Sequence, residues 1–449
     1  MKPQAGTIKN IKETALKKTA DVFDDLHKPL NDMTALKAAA QCLYCYDAPC
    51  IQACPTSIDI PSFIRQISSG NISGAAKTIL DENIMGGSCA RACPTEILCE
   101  RDCVLNEAGS TPVEIGLLQR FAVDYLLAAD GPHPFSRAEP SGRHIAVIGA
   151  GPAGLSFAHR TAMLGHRVSI FEAKSKPGGL NEYGLAAYKM VDDFAAREVD
   201  FLLGIGGIDI QYGIVLGGGI TLDDLRDKYD AIFIGAGLGA TNDLGLDGED
   251  KTGVCDAIDF IENLRQSDDL SNLEPGRDII VLGGGNTAID AAVQAKKLGG
   301  RNVALVYRRG EDQMGATAFE LDLARKTGVM VHFWSKPVSI EGKDTVSAMT
   351  FEHTVLKNGR LVETGEHYQL TCDMVMKAIG QKLKSGDFNG LAIDGGKITV
   401  SEDYQTSIKG IFAGGDCINS GEDLTVQAVQ DGKQAAIAVD AWLRAKQGK

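Results

Sequence analysis

In 144-HIAVIGAGPAGLSFAHRTAMLGHRVSIFE-172 an apolar strand runs into Gly149, Gly151 and Gly154, and a helix and a second apolar strand follow. The first glycine makes a tight turn, the second lets a pyrophosphate approach the backbone, and the third lets the helix close on the strand. The helix N-terminus then faces the phosphates with the positive end of its dipole. Glu172 ends the second strand. An acid there accepts hydrogen bonds from ribose hydroxyls and discourages a 2′-phosphate.

A unit of the same order begins at Asp278: 278-DIIVLG-283, 284-GGNTAIDAAVQAKKLG-299 and 302-NVALVY-307. Gly283 and Gly285 supply the turn, Asn286 and Thr287 open the helix, and Ala288 takes the place of the third glycine, which the fingerprint allows. Arg308 and Arg309 follow the second strand. Alone, they suggest a 2′-phosphate and hence NADP. Glu311 and Asp312 come directly after and weaken the cationic field, so NAD and NADP both stand.

Alternating strands and helices mean parallel sheets. The stretch 409-KGIFAGGD-416 with its following helix resembles neither start, and reads as the closing segment of the first domain. The predicted fold is therefore α/β, with two Rossmann-like domains, the second (246–374) inserted in the first (141–245 and 375–449). Residues 1–140 carry helical patterns and end in 130-DGPHPFSRAEPSG-142, whose three prolines read as a linker.

Glycine makes up 52 of the 449 residues, an excess over the usual ~7%. It falls in short clusters, which suit close backbone approach to ligands. The net charge of −14 argues against a surface for nucleic acid or anionic membrane. No apolar run reaches the ~18 residues of a membrane span. The start, MKPQAGTIKNIKETALKK, has no apolar core behind its lysines and is no secretory signal. A cytoplasmic location is expected, where disulfides are rare. Yet there are 11 cysteines, eight of them between Cys42 and Cys103.

Those eight form two runs, Cys42-x2-Cys45-x4-Cys50-x3-Cys54-Pro55 and Cys89-x3-Cys93-Pro94-x4-Cys99-x3-Cys103. Zinc favours paired C-x2-C knuckles. A tight run ending in Cys-Pro suits ferredoxin-type clusters, where the last cysteine serves the other cluster, and eight cysteines suffice for two 4Fe–4S clusters. The stretch 111-TPVE-114 reads as a capping box with proline at the first helical position. Gln119 shares the apolar face of that helix with Ile115, Ala122 and Leu126. On spacing alone it is a core glutamine bonded to backbone.

From Arg143 onward the chain resembles the two-dinucleotide-binding flavoproteins related to glutathione and thioredoxin reductases. The residues that carry this are the glycine loops above, Gly178-Gly179, 231-AIFIGAG-237 and Gly414-Gly415-Asp416. The resemblance implies FAD held by Gly179, Leu180, Gly415 and Asp416, the last on the ribityl chain. The redox cysteine pair of the disulfide reductases is missing: only Cys255, Cys372 and Cys417 remain, far apart in sequence. Electrons must therefore leave the flavin another way.

The joining of a cysteine-rich N-terminal domain to such a module narrows the resemblance. The chain looks like the small subunit of glutamate synthase and, more closely, the corresponding half of dihydropyrimidine dehydrogenase. The eight cysteine spacings, 114-EIGLLQRFAVDY-125 and 430-QDGKQAA-436 carry it. It implies one cluster on Cys42, Cys45, Cys50 and Cys103, another on Cys54, Cys93, Cys99 and Gln119, and Cys89 as a spare. Lys189 stands where the family often has an arginine near the flavin, and Gly315 where NADP-dependent relatives have another. The bacterial two-subunit pyrimidine enzymes use NAD. The resemblance thus implies an electron-input subunit of a hetero-oligomer, passing electrons from NADH through FAD and two clusters to an FMN- and iron–sulfur-containing partner that reduces uracil or thymine. No catalytic side chain is assigned within this chain. A glutamate-synthase-type NADPH subunit and a stand-alone NAD(P)H:ferredoxin protein share all these cofactors and remain alternatives.

Overall fold

The computed structural model describes residues 18, 22–129, 131–384 and 388–447. The segment read above as no secretory signal lies, apart from Lys18, outside the described residues, as does Asp130 of the linker.

Residues 22–129 form helices and turns without a strand. In the helix Ile60–Ser68 the buried Ile60, Phe63, Ile64 and Ile67 recur at helical spacing. They face Ala75, Ala76 and Ile79 of the helix Ile72–Glu82 and Leu118 and Ala122 of the helix Ile115–Ala128. The same core runs on without a break into Val147, Leu155 and Phe157 of the next domain. The capping box expected at 111–114 does not form. Glu114 is the N-cap and makes no side-chain cap bond. Glu100 Oε1 accepts from the Gly116 N–H at 2.9 Å, so a distant carboxylate satisfies the helix start.

The first nucleotide domain is a five-stranded sheet in the order Ile411–Ala413, Ala231–Ile234, His144–Ile148, Arg167–Glu172, Ile208–Tyr212, with every neighbouring pair parallel. The strand from the C-terminal part thus enters beside the strands of the first part. The last helix, Thr425–Gln447, lies along the helix Pro152–Met163, where Ser156 Oγ donates to Val429 O at 2.7 Å.

The second nucleotide domain is inserted, and its sheet runs Val254–Asp256, Met374–Lys377, Asp278–Leu282, Asn302–Val306, Met330–His332, again all parallel. The strand Met374–Lys377 belongs to this sheet, so the chain returns to the first domain only after Lys377. An antiparallel three-stranded sheet, Ser335–Glu341, Ala348–Lys357 and Arg360–Thr371, packs Met349 and Phe351 against Ile280 and Leu282. The two crossings between the domains run side by side, Ala240–Thr241 paired antiparallel with Gln381–Lys382.

Candidate functional site

The first glycine loop has the geometry its spacing predicts. Gly149 sits at φ +91°, and its N–H donates to Phe171 O at 2.9 Å, which ties the turn to the next strand. Gly151 caps the helix Pro152–Met163 without a side-chain bond, leaving the first N–H groups open to an anion. Glu172 is buried: Oε2 accepts from Ala150 N at 2.7 Å and Oε1 from Lys174 N at 2.8 Å. Each oxygen keeps a further lone pair for a hydroxyl. Gly179 lies on the phosphate loop, where a Cβ would stand 2.7 Å from Gly151 Cα. Leu180 opens the short helix that follows. Gly415 N donates to Asp431 Oδ2 at 2.9 Å, and burial pushes the neighbouring Asp416 carboxyl up to about 6. Glycine loop, Glu172, Gly179 and Asp416 thus meet at the C-terminal edge of one parallel sheet, where ligands of such folds bind. Beyond the strand Arg167–Glu172 opens a hollow of about 710 Å³ lined by Phe171, Gly213, Val215 and Tyr229. The sequence reading passed over its 213–220 loop, which shows only glycine punctuation.

At Gly154 an added Cβ would stand 2.0 Å from Gly149 O. Gly154→Ala must therefore lift the helix off the phosphate loop. Overpacking of this kind costs about 1–3 kcal/mol, so FAD affinity should fall about tenfold or more. Flavin retained after gel filtration measures it, and wild-type retention would contradict the close-approach role.

In the second unit Gly283 is at φ +146° and Gly285 caps the helix Asn286–Lys297, again with no side-chain bond. Asn286 Oδ1 accepts from Thr317 N at 3.4 Å, and Thr287 follows in the first turn. Arg308 and Arg309 are exposed at the end of the strand Asn302–Val306. The expected weakening by nearby acids does not hold for Glu311, whose carboxylate pairs with Arg325 at 2.5 Å. Among the described residues neither guanidinium of the pair has a carboxylate partner. Lys189, expected beside the flavin, has its ammonium between Asp290 Oδ1 (2.8 Å) and Glu320 Oε1 (2.6 Å) of the second domain.

The cysteines gather in two groups. Cys42, Cys45, Cys50 and Cys103 line one small pocket, walled by Ile60, Ile64, Val113 and Ile115. Burial, then the neighbouring Cys42 and Cys103, push the Cys50 thiol up to about 12. Such thiols stay protonated until a cationic group binds and displaces the protons. Cys99 is raised by burial, by Glu100 and by Cys54. Cys93 is raised by a hydrogen bond with the Cys89 thiol, by burial, and by Cys54 and Cys99. The second group is therefore Cys54, Cys93 and Cys99, with Cys89 against Cys93. Among the described residues no three His, Cys, Asp or Glu side chains stand as a single-ion site. Buried Gln119 donates Nε2 to Gly86 O at 2.7 Å, which leaves Oε1 as its unengaged atom. All 11 cysteines are free thiols; Cys372 and Cys417 are buried and Cys255 partly so.

Contacts absent from the sequence reading fix the second group to the first nucleotide domain. Fully buried Glu198 accepts from Gly87 N (2.8 Å) and Ser88 N (3.0 Å) at the start of the helix Gly86–Ala92, and burial pushes it up to about 7. Arg91 from that helix stacks 3.4 Å over the Phe194 ring. Lys433 Nζ reaches Glu82 Oε2 at 2.6 Å and Thr56 O at 3.2 Å, two residues from Cys54. In the first group Leu43 and Tyr46 are exposed between the cysteines.

Residues 143–432 match the family model of pyridine nucleotide-disulphide oxidoreductases, and residues 18–130 match that of dihydropyrimidine dehydrogenase domain II, 4Fe-4S cluster. The chain is 33% identical over 423 residues to the NAD-dependent dihydropyrimidine dehydrogenase subunit PreT homolog of Salmonella typhi, covering 94% of this chain and 97% of that protein. It is 31% identical to the glutamate synthase [NADPH] small chain of Escherichia coli, covering 94% of each. The solved structure of FprA from Mycobacterium tuberculosis superposes with a TM-score of 0.59 at 20% identity, over 69% of this chain and 86% of that one, a likeness of fold.

Proposed function

We infer the function of this chain from its family: it belongs to the pyridine nucleotide-disulphide oxidoreductases, in the iron–sulfur branch that includes the dihydropyrimidine dehydrogenase subunits, and is an NAD(P)H-dependent flavin and iron–sulfur oxidoreductase. The finer reading is an electron-input subunit that takes electrons from NADH and delivers them to a pyrimidine-reducing partner carrying FMN and iron–sulfur clusters. One observation carries it. The thiols form two groups, one held against the first nucleotide domain by Glu198 and Lys433, the other beside the exposed Leu43 and Tyr46, an arrangement that supports passage of electrons from flavin to surface.

FAD, when bound, supplies a hydride acceptor that releases electrons singly, and 4Fe–4S clusters supply one-electron carriers. The chain's own residues hold these groups. The N-terminus of the helix Pro152–Met163 would hold the FAD pyrophosphate, Glu172 would accept from ribose hydroxyls, and Asp416 would accept from the ribityl chain. Gly283, Gly285, Asn286 and Thr287 receive the nicotinamide dinucleotide. Cys42, Cys45, Cys50 and Cys103 hold one cluster. Cys54, Cys93 and Cys99 would hold the second, with Gln119 as its fourth ligand in keeping with the family pattern. Iron, acid-labile sulfide and flavin per chain, measured after anaerobic purification, test this set: eight irons and one FAD are expected.

NADH is the proposed donor, in keeping with the PreT relatives. NADPH is a second reading, favoured by the exposed Arg308 and Arg309 without carboxylate partners. Specificity is a ratio of kcat/KM values, and about 1.4 kcal/mol makes it tenfold. Dye reduction should favour NADH by about tenfold or more; a tenfold preference for NADPH would assign the arginine pair to a 2′-phosphate.

A further inference from the structure

The two nucleotide domains are joined covalently only by a ribbon of two paired residues per strand, Ala240–Thr241 against Gln381–Lys382. So short a ribbon holds the domains together without fixing their angle. The angle is set elsewhere, where the segment 181–190 of the first domain enters the second. Arg265 donates Nε to Glu182 O at 3.0 Å and Nη1 to Met190 O at 2.7 Å. Gln294 Oε1 accepts from Ala187 N at 2.9 Å, and Tyr188 OH donates to Asp290 Oδ1 at 2.7 Å. Between them Lys189 places its ammonium against two carboxylates, Asp290 and Glu320, all three groups nearly dry. Asp290 belongs to the helix Asn286–Lys297, which opens the second glycine loop, and Glu320 to the helix Ala318–Thr327 that follows Gly315. One cation thus faces two buried carboxylates across the domain boundary, and Glu320 Oε2 has no hydrogen-bond partner among the described residues.

A buried ion network adds little net stability over an apolar contact, but removing one member leaves charge uncompensated. Its directional bonds also single out one arrangement of the parts they join. We infer that Lys189 is a positioning residue for hydride transfer, holding the second domain's dinucleotide helix at the one angle that sets a bound nicotinamide against the flavin. This rests on the oxidoreductase reading above and adds to it the residue that fixes donor-to-acceptor geometry. In this role Lys189 acts through Asp290 and the helix that carries it.

The test is anaerobic stopped-flow reduction of the flavin in the holoprotein by NADH, and by NADPH, in wild type, Lys189→Met, Lys189→Arg and the double variant Lys189→Met/Glu320→Gln. The double variant removes the ammonium and one anion together, so it folds even where the single one leaves two carboxylates opposed. A misplacement of about 1 Å can cost ~100-fold in rate. Flavin reduction at saturating NADH should therefore slow by about tenfold or more in both methionine variants, with the half-saturating NADH concentration changed by less than about threefold. Lys189→Arg should restore most of the rate. Amide exchange should quicken at 185–190 and 286–297 with FAD and iron content kept. Wild-type rates in a loaded methionine variant would overturn the proposal, as would loss of FAD from the double variant. A wild-type flavin that neither NADH nor NADPH reduces would instead overturn the functional reading.

Discussion

Cys93→Ser loses about half of the bound iron, and Gln119→Ala loses the same half, while Cys89→Ser keeps all of it. The expectation follows from two separate thiol groups, each sized for one four-iron cluster. Cys93 lies within reach of Cys54 and Cys99, and its loss removes one corner of that group alone. The contest for the fourth corner is between Cys89 and Gln119. Cys89 is buried one helical turn before Cys93 and hydrogen-bonds its thiol. Gln119 reaches the same helix from across the domain, with Nε2 on Gly86 O. Thiolate is the stronger iron ligand, so proximity alone favours Cys89; the family pattern favours Gln119. Iron analysis with absorbance near the cluster bands decides. If Cys89→Ser halves the iron and Gln119→Ala does not, the ligand is Cys89 and Gln119 is a core residue after all.

Which features the sequence carried depends on how local their cause is. The two glycine loops are local: each turn needs its glycines for reasons internal to a few residues, and both form as read. The insertion of one domain in the other was legible because 409–416 fits no fresh start, and its strand does join the first sheet beside Ala231–Ile234. Features that depend on distant partners were not. Spacing suggested a capping box at 111–114, but Glu100 had the better geometry for Gly116 N. Sequence adjacency set Glu311 against the arginine pair, yet a helix fourteen residues on offers it Arg325. Lys189 stands at the position of a family arginine near the flavin, but its motif gives no hint of the carboxylates that hold its ammonium, Asp290 and Glu320 of the second domain. The antiparallel sheet 335–371 left no mark in the reading, since its strands mix polar and apolar residues without a continuous apolar run and Arg360–Thr371 is largely exposed.

With NADH the purified 449-residue chain should reduce a dye and leave uracil untouched. Adding hydrogen across a pyrimidine 5,6 bond needs a hydride donor on one face and a positioned acid on the other. Both parallel sheets here are open and five-stranded, and their C-terminal edges carry the two glycine loops proposed to hold FAD and the nicotinamide dinucleotide. No eight-stranded barrel, the usual housing of roughly 250 residues for an FMN site, is present among the described residues. The pocket lined by Cys42, Cys45, Cys50 and Cys103 is walled mainly by aliphatic side chains and is taken by the thiols proposed to hold a cluster. Pyrimidine reduction should therefore appear only when an FMN-bearing partner is added, and the partner should take its electrons from the first thiol group, beside the exposed Leu43 and Tyr46. Uracil-dependent NADH oxidation, assayed with and without that partner, separates the cases. Turnover by this chain alone would place a pyrimidine site within it and refute the division of labour. Failure of the FMN partner, with glutamate formation on adding a glutamate-synthase large subunit, would leave the electron path intact and change only its destination.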